Sequence, residues 1–217
     1  MYDLDRKIIF THPPKCAGTT IEDIFGWRPG QGDEENKIKE YIEIKHWSLQ
    51  DHVVFIQNLG LDPSGFFKFS CVRNPWDRAV SFFFHHKYSE IARFKMLFPN
   101  KEMPRLLQIA ESGTFENYLD YRHLEYCNNG FNFLQIDEFI NFNGENYMDY
   151  IVKYENLNEC IDYLKSKYSI DADTPFHRQR SQRPLDKGYK EYYTKRKMIT
   201  KVMDLAVDSI KLFGYTF

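Results

Sequence analysis

A lysine, a glycine and two threonines stand close together at Lys15, Gly18, Thr19 and Thr20, in the stretch KIIFTHPPKCAGTT (Lys7–Thr20). Lys15 supplies a point charge and the threonines supply hydroxyl donors. Cys16, Ala17 and Gly18 are small enough to let backbone N–H groups approach a ligand. Such a set binds an anion of phosphate or sulfate size. A second chemical pair lies in FFKFSCVRNPWDRAVSFFF (Phe66–Phe84), where Arg73 precedes Ser81 by eight residues. An arginine can grip a phosphate with two N–H groups, and a serine on the same side can complete the contact. Each residue also has an ordinary reading. Lys15 can be an exposed turn lysine, Arg73 can pair with an acid on a neighbouring helix, and Ser81 can be a small residue tolerated in a helix.

The elements that must hold these residues follow from periodicity. Ile8, Ile9 and Phe10 read as a strand, Pro13-Pro14 as a turn, and Ile21, Ile24 and Phe25 fall at helical spacing. FFKFSCV reads as a buried strand, and Pro75 suits the first position of a helix. Both units are thus strand, loop, helix, with the chemistry at the strand's C-terminal end. The lysine order excludes an ATP or GTP loop of the form G-x-x-x-x-G-K-[ST], because here the lysine comes before the glycine.

These two segments carry a resemblance. PPKCAGTT resembles the 5′-phosphosulfate-binding loop of sulfotransferases that use 3′-phosphoadenylyl sulfate (PAPS). VRNPWDRAVSFF resembles the 3′-phosphate-binding segment of the same superfamily. The carbohydrate-type, family 2-like branch is the nearest match, and IVKYENL (Ile151–Leu157) and VMDLAVDSIKLFGY (Val202–Tyr215) also fit. The resemblance implies a three-layer α/β fold of P-loop type, with a central parallel sheet flanked by helices. It implies sulfuryl transfer from PAPS to a hydroxyl or amine of an acceptor, with adenosine 3′,5′-bisphosphate (PAP) as product and no metal. Lys15, Cys16, Ala17, Gly18, Thr19 and Thr20 then hold the 5′ end, and Arg73 and Ser81 hold the 3′-phosphate. A basic, glycine-containing segment late in such chains closes over the cofactor, which points to Arg183, Lys187 and Gly188. Cys16-Ala17 departs from the family's usual small residues.

Proton removal from the acceptor calls for a base, and histidine suits that task at neutral pH. His46, in IKHWSLQDH, is the first choice and His52 the second. His12 can orient the loop, and His85-His86 can end the helix that follows Pro75. Glu22 either reaches the acceptor or is an acid placed near a helix start. Glu155 in KYENL reads as structural.

Composition limits the alternatives. The chain has 217 residues, a net charge of −2 and 42% hydrophobic residues. That suits one compact domain, residues 1–217, with a variable acceptor-side insertion at about 88–146. Nothing global suggests nucleic acid. No run reaches the roughly 18–20 apolar residues of a membrane span, and the start lacks a secretory pattern, so the expected location is cytoplasmic. Cys16, Cys71, Cys127 and Cys160 lack C-x-x-C spacing, so no metal site is read from them. Basic residues gather late, among them Arg178, Arg180, Arg183, Lys187 and Lys190.

A short helix is expected over Thr114–Tyr121, a strand over Tyr147–Tyr154 and a helix over Leu157–Tyr168. Ser48 is expected to cap a helix, Gly26–Glu35 to form a loop, and Lys37–Lys45 has no clear state. Aromatics of the insertion (Phe94, Phe98, Phe131, Phe133, Phe139, Phe142) suit either sugar stacking or the core. The competing classes are a P-loop phosphotransferase, which needs ATP and magnesium, and a non-catalytic nucleotide-binding protein.

Overall fold

The computed structural model describes residues 1–29, 35–171, 183–184 and 186–217. Arg178 and Arg180 of the late basic stretch, and positions 30–34 of the expected loop, lie outside these. Along the chain run β1 (Tyr2–Asp3), β2 (Ile8–Thr11), α1 (Gly18–Phe25), α2 (Glu35–Ile44), α3 (Leu49–Asn58), β3 (Phe67–Val72) and α4 (Pro75–Phe84). Then come α5 (Ile91–Leu97), α6 (Arg105–Ser112), α7 (Phe115–Asn129), α8 (Asp137–Ile140), β4 (Asn141–Phe142) and β5 (Glu145–Asn146). β6 (Tyr150–Lys153), α9 (Leu157–Tyr168), α10 (Arg196–Leu205) and α11 (Val207–Phe213) complete it. Two compact units divide the chain: Met1–Arg73 with Ile136–Gln179, and Asn74–Gln135 with Arg180–Phe217.

The first unit is built on a sheet of order β1-β2-β3-β6. β2, β3 and β6 run parallel, with Thr11 opposite Ser70 and Cys71 opposite Val152. The short edge strand β1 is antiparallel. Alternation along β2 separates its two faces. Ile8 and Phe10 join Phe69, Cys71, Val152, Ile161 and the inner residues of α1 in one core. Ile9 joins Leu49, Val53 and Ile56 of α3 in another. Helices therefore cover both faces, and this is the three-layer α/β arrangement expected from the sequence. Ser48 caps α3 through a reciprocal capping box with Asp51. Lys37–Lys45, undecided from sequence, falls largely within α2.

The second unit packs α4 among α7, α10 and the turn at Tyr189–Tyr192. Asn74 caps α4 through the N–H groups of Trp76 and Asp77, and Pro75 holds its first position. Every residue of α4 is buried, not only one apolar face. Its polar members are therefore partnered: Arg78 donates to the Leu134 carbonyl at 3.1 Å, and Asp77 accepts from Arg183 at 2.7 Å. The helical path does not end at His85-His86. It continues through a π-helical segment, His85–Glu90, into α5. The helix after Thr114 is longer than expected, running to Asn129 before Gly130 stops it in a left-handed conformation.

Several insertion aromatics are core. Phe133 is 6% exposed and lies edge-on to Phe82 and Tyr118, whereas Phe131 is 54% exposed. Phe133→Ala should cost roughly 3–5 kcal/mol and Phe131→Ala under about 1 kcal/mol, read from chemical denaturation midpoints. Equal losses would contradict this assignment.

Candidate active site

The loop between β2 and α1 is held in an unusual backbone. Lys15 and Ala17 have φ of 67° and 72° on either side of Cys16. Left-handed residues alternating with right-handed or extended ones turn successive N–H groups toward one side, which forms an anion-binding concavity. α1 starts directly after Ala17, whose carbonyl accepts from Thr20 and Ile21. By helix geometry the N–H groups of Gly18 and Thr19 then have no acceptor inside the helix. Lys15, Thr19 and Thr20 are half-buried, while the Cys16 side chain is buried in the core beneath the loop. Any part Cys16 plays toward a ligand is thus through its backbone, and its departure from the family pattern leaves the loop's outer face unchanged.

Arg73 joins the two strand ends. It leaves β3 beside the loop, is largely buried, and donates through Nη1 to the Lys15 carbonyl at 3.2 Å. Its guanidinium carbon lies 4.0 Å from the centre of the Tyr154 ring, a cation–π contact that fixes its plane. Arg73 thus sits in a main-chain and aromatic clamp.

Two histidines from different segments, His12 and His46, meet beside this loop. His12 is 4% exposed, and its Nδ1 lies 2.7 Å from Glu22 Oε1. Glu22 is 0% exposed and also accepts from the Tyr41 hydroxyl at 2.7 Å. Burial alone would raise Glu22, but the hydrogen bonds from His12 and Tyr41 outweigh it and hold the carboxyl below the usual range. Burial pushes His12 down to about 4, so its ring is neutral at pH 7. A charged carboxylate only accepts, so His12 carries its proton on Nδ1. The His12 carbonyl lies 2.9 Å from His46 Nδ1, and the two rings meet edge-on at 4.8 Å. A carbonyl only accepts, so His46 also carries its proton on Nδ1 and keeps Nε2 as its basic nitrogen. His46 remains exposed. Loss of part of its water contact, helped by Lys45, lowers it below the ordinary histidine value, although the bond to the His12 carbonyl opposes that. His52, the second choice as base, is fully buried on α3 beside the Met1 amine.

The first unit therefore brings together Lys15, Cys16, Ala17, Gly18, Thr19, Thr20, His46 and Arg73. Ser81, Arg183, Lys187 and Gly188 belong to the second unit. There Ser81 is 2% exposed within α4, Arg183 is bonded to Asp77, Lys187 is exposed, and the Gly188 N–H donates to Glu191 at 2.6 Å. The Glu22–Tyr41 pair was not read from the sequence as a unit. Its signal was present, since Glu22 shares a helix face with Gly18 and Phe25 at spacings of four and three. An acid on that face has to be buried.

A strand-end loop with two left-handed residues, braced by an arginine from the next parallel strand, lies where open α/β folds bind their ligands. The family model described as "Sulfotransferase family" matches residues 1–215, and the chain belongs to that family. This sets aside the phosphotransferase alternative. No curated protein sequence matches the chain. Among solved structures, that of mouse sulfotransferase SULT7A1 complexed with PAP shares the fold at a TM-score of 0.51. The identity is 12%, and the match covers 100% of this chain and 91% of that one. Among the described residues, no helix is long and apolar enough to cross a membrane.

Gly18 is required by its neighbour. A Cβ there would sit 2.0 Å from His12 Cδ2 and 2.3 Å from Cγ and Nε2. Gly18→Ala should destabilise the protein by roughly 1–3 kcal/mol through overpacking. In a His12→Ala background the same change should cost almost nothing. A double-mutant cycle by denaturant melts reads the coupling, and additive costs would mean that the ring is not the obstacle.

Proposed function

We propose that this protein transfers the sulfuryl group of PAPS to a hydroxyl or amine of an acceptor, a carbohydrate by its family-branch resemblance, and releases PAP. The observation that carries this reading is the Arg73–Lys15 contact. It puts the two motifs with sulfotransferase character on one edge of one sheet, where open α/β folds bind ligands.

The acceptor oxygen or nitrogen forms a bond to sulfur while the bond from sulfur to the 5′-phosphate oxygen breaks. Negative charge grows on the leaving phosphate. Lys15, the loop N–H groups and the hydroxyls of Thr19 and Thr20 stabilise it, and because they are already fixed, little reorganisation is needed. The acceptor's proton passes to His46 Nε2. His46, held below the ordinary histidine value by loss of part of its water contact and by Lys45, is neutral near pH 7, as a base must be. Arg73, held flat on Tyr154, takes the 3′-phosphate that distinguishes PAPS from ATP-like nucleotides. The parts given to Ser81, Arg183, Lys187 and Gly188 rest on the family resemblance. For Arg183 the reading requires that it share or exchange its bond to Asp77. Cytoplasmic action on a small-molecule or carbohydrate acceptor completes the proposal.

Calorimetric titration with PAP, set against ATP and AMP with magnesium, tests the donor class. Binding of PAP alone is expected, weakened by Arg73→Ala by at least about tenfold, or roughly 1.4 kcal/mol. Preference for ATP with magnesium would overturn the proposal.

A further inference from the structure

Glu22 stands out among the groups that the proposed chemistry does not use. It is a fully buried carboxylate that accepts from two neutral donors, the His12 imidazole and the Tyr41 hydroxyl. Burying a carboxylate is costly unless its charge is compensated. Lys45, in the segment just before His46, is a cation that acts on it. The carboxylate also lies behind the base. It fixes His12 at Nδ1, Gly18 admits the His12 ring where any side chain would clash, and the His12 carbonyl holds His46 Nδ1. Glu22, His12 and His46 thus form one line from the interior of α1 to the exposed imidazole.

We infer that Glu22 is a positioning residue for sulfuryl transfer: through His12 it fixes the tautomer and orientation of His46, and its charge stabilises the imidazolium formed when His46 takes the acceptor's proton. This rests on the reading of His46 as the base. No proton leaves His46 through His12, because the bond between them ends on a carbonyl. The proton received at Nε2 stays on the ring until solvent removes it. Glu22 keeps its charge throughout, acting across the His12 ring. Loss of water contact opposes the imidazolium most and the His12 carbonyl bond favours it; among the charged groups Lys45 opposes it and the Glu22 carboxylate favours it, while the Met1 amine, lowered to about 5, opposes it only in acid. His12 is neutral and acts through its carbonyl. Arg28 and Asp23 act on the neighbouring Lys45.

Glu22→Gln keeps the shape and removes the charge, with the amide oxygen accepting from His12 and the amide N–H donating to the Tyr41 oxygen. It should lower kcat by roughly tenfold or more while leaving PAP affinity nearly unchanged. The acid limb of the kcat/KM profile should move to lower pH, because His46 loses a charge that favours its protonated form. Glu22→Asp, which retains the charge, should leave that limb in place. Loss of activity with an unmoved limb and a lowered melting temperature would mean a merely structural role and would overturn the inference. His46→Ala separates the two readings. If it keeps normal turnover, the base assignment fails. If it abolishes turnover while Glu22→Gln leaves both kcat and the limb unchanged, only the inference about Glu22 fails. Should Glu22→Gln not fold, nitrogen-15 NMR of the unmodified protein decides. Both His12 and His46 are expected in the Nδ1–H tautomer, and an Nε2–H tautomer at His46 would overturn the inference.

Discussion

The parallel register of β2 against β3 is the constraint on which the site depends. Phe10 pairs with Phe69 and Thr11 with Ser70, so both strands end at the same edge of the sheet. Lys15 and Arg73 follow those ends by only a few residues. That is why an arginine side chain on one connection reaches a carbonyl on the other. A slip of one residue would turn Phe10 and Phe69 out of their shared core, where their rings stack at 4.8 Å. Core packing therefore specifies the register, and the register brings the two motifs together. The hydrogen bond between them adds rigidity to a meeting already fixed by the hydrophobic core.

Inside the loop, close packing sets charge. The His12 ring occupies the space that Gly18 leaves open, and there it is too far from water to carry a proton easily. Glu22 remains ionised because two donors meet its oxygens. These opposite outcomes at adjacent buried groups leave a neutral imidazole line ending at His46, with negative charge behind it. In the proposed reaction an anion arriving at Lys15 and the loop N–H groups would meet fixed positive potential, and the acceptor's proton would meet a neutral base. Pre-set dipoles of this kind act at the moment charge develops, without reorganisation.

Much of this was legible in the sequence, and for identifiable reasons. Apolar runs followed by Pro13-Pro14 or Asn74-Pro75 marked the strand ends, and Ser48 with Asp51 marked a capped helix. Leu157–Tyr168 was readable as α9 from its spacing alone. Other parts were not. α2 has weak periodicity, so its state was open. The two-residue edge β1 is too short to show a pattern. The helix after Thr114 outran its expected end because polar residues such as Arg122 are buried against aromatic rings, Phe131 and Phe133, which hides the usual polar stop. Glu22 looked like an acid favouring a helix start. Its helix face marked it as buried, but its partners, His12 ten residues before it and Tyr41 nineteen after it, come only from the fold. Long-range polar pairs of that kind leave little trace in local spacing.

The most direct measurement is single-turnover sulfuryl transfer from PAPS by Lys15→Ala, alongside calorimetric binding of PAP to the same variant. If the loop stabilises charge on the leaving phosphate, turnover should fall by about a hundredfold or more while PAP affinity changes far less. Normal turnover by Lys15→Ala would contradict the account, since the charge placed at the strand end would then have no part in the reaction.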